Sequence, residues 1–435
     1  MPAAKYFSPV GAARSARTLL GASALLAAVS VFAQTAPEIS GFGTLGVTHE
    51  RGAGGRGYVR NSTQPGTSSS FGGALDSRLG AQFDWAFVPD WEASVQAVAV
   101  KRPQGTPASE SVERAYIGWR PLANTRLRAG RINPDIFLYA DSRNVGYSLP
   151  WARPPVDFYG FAPVVAIDGL DLDQQWHAGD ADWRLRVTHG SARASVTDLE
   201  GARVPLRGRG LTALALNRFQ DGLLLKLSFL QGHLGFDAGD QVAALRQGLD
   251  EVAGIPVPGV SEQVAALQRN LWTEGNIRYL SLAAQYETGP WTLIGEASNL
   301  TVPNSPLASR RAYASAGYRR NGFTYYVTAG AARPRRSEES SPDFVSSLSP
   351  VVGEAVAQQA QALGNFAVAA GNNFRYDQNT VGIGVRWDFS SNAALKLQWD
   401  RFRVASNGGA GLRYFNGAAT DGQILTVLVD FVWGQ

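Results

Sequence analysis

The chain of 435 residues contains no cysteine, so neither a disulfide framework nor thiol chemistry is open to it. Histidine is scarce: His49, His177, His189 and His233 are the whole set. No carboxylate–histidine cluster has metal-ligand spacing, and no Ser or Asp lies around them in an arrangement that resembles a nucleophilic triad. The expectation is therefore a protein with no catalytic site, no metal and no cofactor. Beyond residue 33 no apolar run is long enough for a transmembrane helix. A formal net charge of +4 is small for this length, and the arginines are dispersed rather than clustered, which argues against a nucleic-acid partner. The Gly-rich stretches Arg51 to Gly57 and Asn407 to Gly411 do not have the strand-to-helix setting of a phosphate loop.

The first residues point to export. Lys5, Arg14 and Arg17 make a positive region, and Leu19 to Phe32 is apolar. Val31-Phe32-Ala33 then places small residues at −3 and −1 of a cleavage site before Gln34. Residues 1–33 are thus expected to be a signal peptide and 34–435 the mature protein.

What the mature chain does have is alternation. Glycine is abundant at 48 residues and aromatics reach 10%. Leu75, Leu79, Ala81, Phe83, Trp85 and Phe87 share one face of a period-two segment, and Asp76, Arg78, Gln82 and Asp84 the other. Sixteen such segments follow one another from 38–50 to 422–433, each about as long as a tilted strand needs to cross a bilayer. Their connections alternate between short turns, as at Val88-Pro89-Asp90 and Gln220-Asp221, and long loops. The loops are 51–73, 102–110, 133–164, 191–209, 233–274, 302–309, 333–375 and 405–421. Trp85, Phe87, Trp91, Trp119, Trp176, Trp183, Tyr286, Trp291, Tyr318, Phe323, Trp387 and Phe389 flank the short turns, as a girdle at one membrane interface would. With no apolar helix available, only a closed barrel satisfies every backbone group in lipid. The fold class is all-β: a transmembrane antiparallel β-barrel of about 16 strands. Asp240 to Leu249, Glu262 to Leu271 and Val351 to Leu363 read as small helices within the long loops, covering the barrel mouth.

At this point the chain resembles the Gram-negative outer-membrane porin family, in particular its β-proteobacterial members. The resemblance rests on Ile39-Ser40-Gly41-Phe42-Gly43-Thr44-Leu45-Gly46 in the first strand and on Arg128-Ala129-Gly130-Arg131 leading into a long third loop. The aromatic C-terminal strand adds to it, with Leu425, Val427, Val429, Phe431 and Trp433 facing outward. It departs from the pattern in ending on Gly434-Gln435 rather than on a terminal Phe. The resemblance implies an outer-membrane location, a homotrimer, assembly through the barrel-assembly machinery by way of the last strand, and a third loop folded into the lumen.

That loop, about 133–164, is rich in proline and aromatics. Proline removes donors and excludes a strand, while the aromatics need somewhere to pack. Folded inward, it would face Arg78, Arg114, Arg120, Arg126 and Arg128 on the lumen phase of the early strands. The loop itself offers Asp135, Asp141 and Asp157. Opposed rows of charge would make a constriction with a transverse field and a mild anion preference. The expected function is passive diffusion of small hydrophilic solutes and ions. Two alternatives are a channel selective for sugars or small organic acids, which Tyr139, Tyr147, Trp151, Phe158 and Tyr159 would stack, and a plugged barrel acting as an adhesin or structural protein.

Overall fold

The computed structural model describes residues 36–52, 58, 60–64, 66, 71–161, 164–197, 202–237, 239–336, 340–372, 375–409 and 418–434. The expected signal peptide lies outside them. The strands are β1 (Glu38–Arg51), a two-residue β2 (Phe71–Gly72), β3 (Arg78–Val88), β4 (Trp91–Val100), β5 (Val112–Leu122) and β6 (Thr125–Ile132). After the third loop come β7 (Ile167–Ala178), β8 (Ala181–Thr197), β9 (Arg203–Gln220), β10 (Leu223–Phe236), β11 (Glu274–Thr288) and β12 (Trp291–Thr301). The last five are β13 (Ser309–Arg320), β14 (Phe323–Pro334), β15 (Tyr376–Ser390), β16 (Ala393–Gly409) and β17 (Thr420–Trp433).

All are members of one sheet in which each long strand pairs with the next. The sheet closes on itself through β1 and β17, antiparallel from Gly41 opposite Trp433 to Arg51 opposite Gln423. Because β2 is only a short bridge against Thr48 and His49, sixteen strands build the wall. Closure leaves no sheet edge, which is what a barrel requires in lipid.

Among the described residues seven connections are two-residue turns, all at the same end. Asp221-Gly222 and Asn321-Gly322 show how the sequence makes them: both residues of each pair have positive φ, the conformation of a tight hairpin whose twist matches its strands. Between the turns the period-two pattern sorts the side chains. Leu282, Leu280, Val327 and Val427 point outward and are exposed, while their neighbours along each strand are buried. The girdle aromatics pair across strands beside the short turns, with Trp91 on Trp119 at 6.0 Å, Trp176 on Trp183 at 6.2 Å and Phe323 on Trp387 at 5.8 Å. A soluble monomer does not expose so continuous an apolar surface; this outer face is made for lipid.

The region 191–209 departs from expectation. Residues 191–197 and 203–209 are not loop but continue β8 and β9 as a paired hairpin, with Ala192 opposite Gly208 and Thr197 opposite Arg203 beyond a register shift at Gly190/Ala192. Ala192, Ala194, Val196 and Leu206 keep the alternation and are buried in the main hydrophobic cluster, so the strands gain by running on. Two other loops fold into helices: α2 (Gly239–Ala253), α3 (Val260–Asn270), α4 (Phe344–Val352) and α5 (Glu354–Asn372). They are longer than the sequence pattern suggests, and they share one hydrophobic core. Leu249, Val260, Val264, Phe344, Leu348 and Ala357 are all buried there. Asp343 caps α4, its carboxylate accepting from the Ser346 amide at 3.0 Å, and Gly353 with φ of 83° separates α4 from α5.

Candidate functional site

Loop three leaves β6 at Asn133 and returns at β7, with a single helical turn, α1 (Val156–Tyr159), near its end. Its partners are residues of the inward phase on strands far along the wall. Asp135 pairs with Lys226 on β10, the Leu138 amide donates to Glu296 on β12 at 3.0 Å, and the Tyr139 hydroxyl donates to Gln285 on β11 at 3.0 Å. Trp151 is wholly buried and donates its indole N–H to Ser315 on β13 at 2.9 Å. The Ala152 and Arg153 amides donate to the Gln398 side-chain carbonyl at 3.0 and 3.1 Å, and the Lys396 ammonium donates to the carbonyls of Gly146 and Leu149, each at 2.7 Å. Backbone groups that prolines and irregular turns deprive of a ladder are thus satisfied by wall side chains.

The aromatics of the loop form the core of this contact. Phe137, Tyr139, Trp151 and Phe158 pack with Tyr279 and Tyr313 of the wall, mostly edge to face, with centroids 5.3 to 6.0 Å apart. Trp151 and Phe158 therefore present no face to a passing solute, and Tyr139 almost none. Tyr159 is tied to Glu296, as is Tyr313 at 2.7 Å. Tyr147 lies under the Arg386 guanidinium at 4.8 Å.

The cationic wall is present, but it is paired differently from the expected pattern of two facing rows. Cross-strand register puts Arg126 opposite Asp173 and Arg128 opposite Asp171 on the next strand. Arg128 reaches Asp171 at 2.9 Å, and Arg184 grips Asp173 with two bonds of 2.8 and 2.6 Å. Arg126 lies 3.2 Å from Glu92 and 3.5 Å from Asp173, and Arg120 also holds Glu92. Arg78 turns back to the Asp76 carbonyl at 3.2 Å.

Among the eight charges expected at a constriction, the described contacts bring one expected arginine to one expected loop acid, Arg114 to Asp141. It lies 3.0 Å from Arg186 and 4.0 Å from Arg114. Burial pushes its carboxyl up, but Arg186 and then Arg114 outweigh that and hold it well below the usual carboxylate range. Asp135 is an anchor to Lys226. Asp157 sits on α1 beside Gly330 of β14, and its carboxylate pairs with none of the five expected arginines among the described contacts.

The wall acids Glu92, Asp171 and Asp173 and the buried Arg153 complete the network. Arg153 holds Asp76 at 2.5 Å and Asp400 at 3.5 Å, and Asp76 also pairs with Arg60 at 2.7 Å. Alternation alone marks the wall acids as inward. Nothing in the local sequence marks Arg153, whose partners lie 77 and 247 positions away. Of the eight charges expected at the constriction, Arg120 keeps 36%, Asp141 31% and Arg126 14% of the side chain open to solvent.

No family model matches the chain, and no curated protein matches it in sequence. Among solved structures it is similar to the outer membrane channel DcaP of Acinetobacter baumannii, with a TM-score of 0.49 and 10% identity over 91% of this chain and 97% of that one. It is also similar to OmpT of Vibrio cholerae, with a TM-score of 0.47 and 10% identity over 91% and 98% of the two chains. A third likeness is to OmpF of Salmonella typhi, solved in complex with daunomycin, at a TM-score of 0.47 and 10% identity over 91% and 97%. At this distance the likenesses carry no role over to this chain.

Proposed function

We propose that this protein is an outer-membrane porin through which small hydrophilic solutes and ions diffuse passively. The observation that carries the reading is the closed sixteen-strand wall with an apolar outer face and a charged, hydrogen-bonded inner one. A barrel of that size is too wide for its own wall side chains to fill, so an aqueous passage follows. Loop three occupies the side lined by β10 to β17, and the passage on this reading runs along β4 to β8. Its narrowest part lies between Asp141 and Arg114, Arg120 and Arg126, with Arg78 and Arg128 behind them. Six guanidiniums, of Arg114, Arg120, Arg126, Arg128, Arg184 and Arg186, share four carboxylates, of Glu92, Asp141, Asp171 and Asp173. That excess favours anions mildly. Asp135, Tyr139, Trp151 and Phe158 hold the loop in place, leaving Tyr147 and Tyr159 as the aromatics best placed to meet a sugar or organic acid. Homotrimeric assembly and insertion by way of β17 belong to the same reading.

Proteoliposome swelling tests it. Vesicles carrying folded protein should swell at a rate that falls steadily with the size of the sugar outside; swelling no faster than in protein-free vesicles would refute a channel. The shared core of α2 to α5 favours one competitor, a barrel whose mouth the helices stop. Removing residues 239–271 and 340–372 would then raise the swelling rate many-fold, whereas a porin with an open side changes little.

A further inference from the structure

Asp157 is fully buried, and neither of its carboxylate oxygens has a hydrogen bond of good geometry. Nor has it an ion-pair partner among the described residues: the Arg311 guanidinium donates at 3.2 Å to the Asp157 backbone carbonyl instead and is stacked between Phe161 and Tyr376. A buried carboxylate left so is costly unless it is neutral or holds a cation.

Its surroundings favour the cation. Asp157 borders a cavity of about 10 Å³, room for one water-sized guest, lined among others by Tyr58, Thr328, Thr380, Asp400 and Arg153. The side chains of Thr380 and Gln378 come close enough to the carboxylate to favour its charged form. The wall makes space for both acids. Gly330 lies opposite Thr380, and a methyl group there would come within 2.7 Å of the Asp157 carboxylate. Gly382 lies opposite Thr328 and Asp400, and a methyl group there would collide with the Asp400 carboxylate and approach the Thr328 hydroxyl to 2.7 Å. Asp400 accepts from Gln398 at 2.8 Å, and its one ion-pair partner among the described residues, Arg153, is shared with Asp76.

We propose that Asp157 and Asp400, with the hydroxyls of Thr328 and Thr380, form a binding site for a single hard cation, calcium by preference, that ties loop three to β14–β16. All the donors are oxygens, which select hard cations over zinc or copper. Magnesium keeps several of its waters, and a cavity for one guest has no room for them; calcium sheds its shell more readily and accepts irregular geometry. The site stands independently of any transport through the barrel. Burial, ahead of every other influence, pushes the Asp157 carboxyl up to about 6, so binding should weaken as the pH falls below that value. The other titratable or charged groups facing it are Tyr58, Arg153, Asp400, Arg311 and Tyr376.

The test is calorimetric titration of the folded, detergent-solubilised protein with calcium chloride after exhaustive treatment with EGTA. One calcium per chain should bind, with Asp157→Asn weakening it by roughly tenfold or more and magnesium binding more weakly than calcium. Heat-modifiable migration on a gel reports that the variant is folded. Should Asp157→Asn fail to refold, Thr380→Val removes one neutral donor and should weaken binding roughly threefold. No calcium binding by the native chain, undiminished binding by the folded variant, or magnesium bound as tightly as calcium would each overturn the proposal.

Discussion

Arg186 on β8 and Asp141 in loop three lie 3.0 Å apart, and the same guanidinium lies 3.3 Å from Asp171 on the wall. One residue thus clamps the front of the loop to the strands that carry the other arginines. Replacing Asp141 with Asn removes the negative charge that faces the passage on the proposed reading and leaves the guanidiniums in place. The reversal potential under a salt gradient should move toward anions, and an unchanged potential would take Asp141 out of the passage.

The arginines should divide by exposure. Arg120 is the most open of them, so Arg120→Ala should shift selectivity toward cations with little loss of stability, since a partly exposed ion pair contributes about 1 kcal/mol or less and Glu92 keeps Arg126. Arg128 is buried against Asp171. Arg128→Ala should instead destabilise the barrel by on the order of 3 kcal/mol, because a buried carboxylate loses one of its two guanidinium partners. Urea unfolding followed by tryptophan fluorescence measures the difference.

Trp151→Ala removes a fully buried indole and its bond to Ser315. The cost should be about 3–5 kcal/mol, borne by the loop contact rather than by strand pairing. Single channels of the variant should be noisier and more conductive, and a record indistinguishable from the parent's would show that the loop does not limit flow.

Asp157 gives a pH signature in the presence of chelator. Its folded-state value, about 6, lies above the ordinary carboxyl value of 3.8, so the folded state binds the extra proton and its contribution is fully present below about 3.8. That contribution is lost as the pH rises through 6. The stability difference between the native chain and Asp157→Asn should therefore shift against the native chain between pH 4 and 7, as measured by the heat-modification midpoint. A difference that stays flat would mean that the carboxyl is not raised.

Much of this architecture was legible in the sequence because its causes are local. Alternation decides which side chains face lipid, and Asp-Gly and Asn-Gly pairs make tight hairpins within a few residues. The girdle aromatics stand beside those turns for the same reason. The pairing of the charges was not legible, because Arg128 meets Asp171 through strand register and Arg153 meets Asp76 and Asp400 through the path of an irregular loop. The β8–β9 extension was hidden by arginines and glycines that resemble loop composition, although Ala192, Ala194 and Val196 keep the period. The helix core was hidden by distance: Leu249 and Phe344 share it across two loops and the strands between them. Phe344→Ala should accordingly loosen that core by about 3 kcal/mol and speed proteolysis in α2 to α5, leaving heat-modifiable migration of the barrel unchanged.

Planar-bilayer recording tests the central claim most directly. Folded protein added to one side should produce discrete upward steps of current whose size rises nearly in proportion to salt concentration, with a reversal potential slightly on the anion side. Protein shown to be folded and inserted that yields no steps would contradict the channel outright.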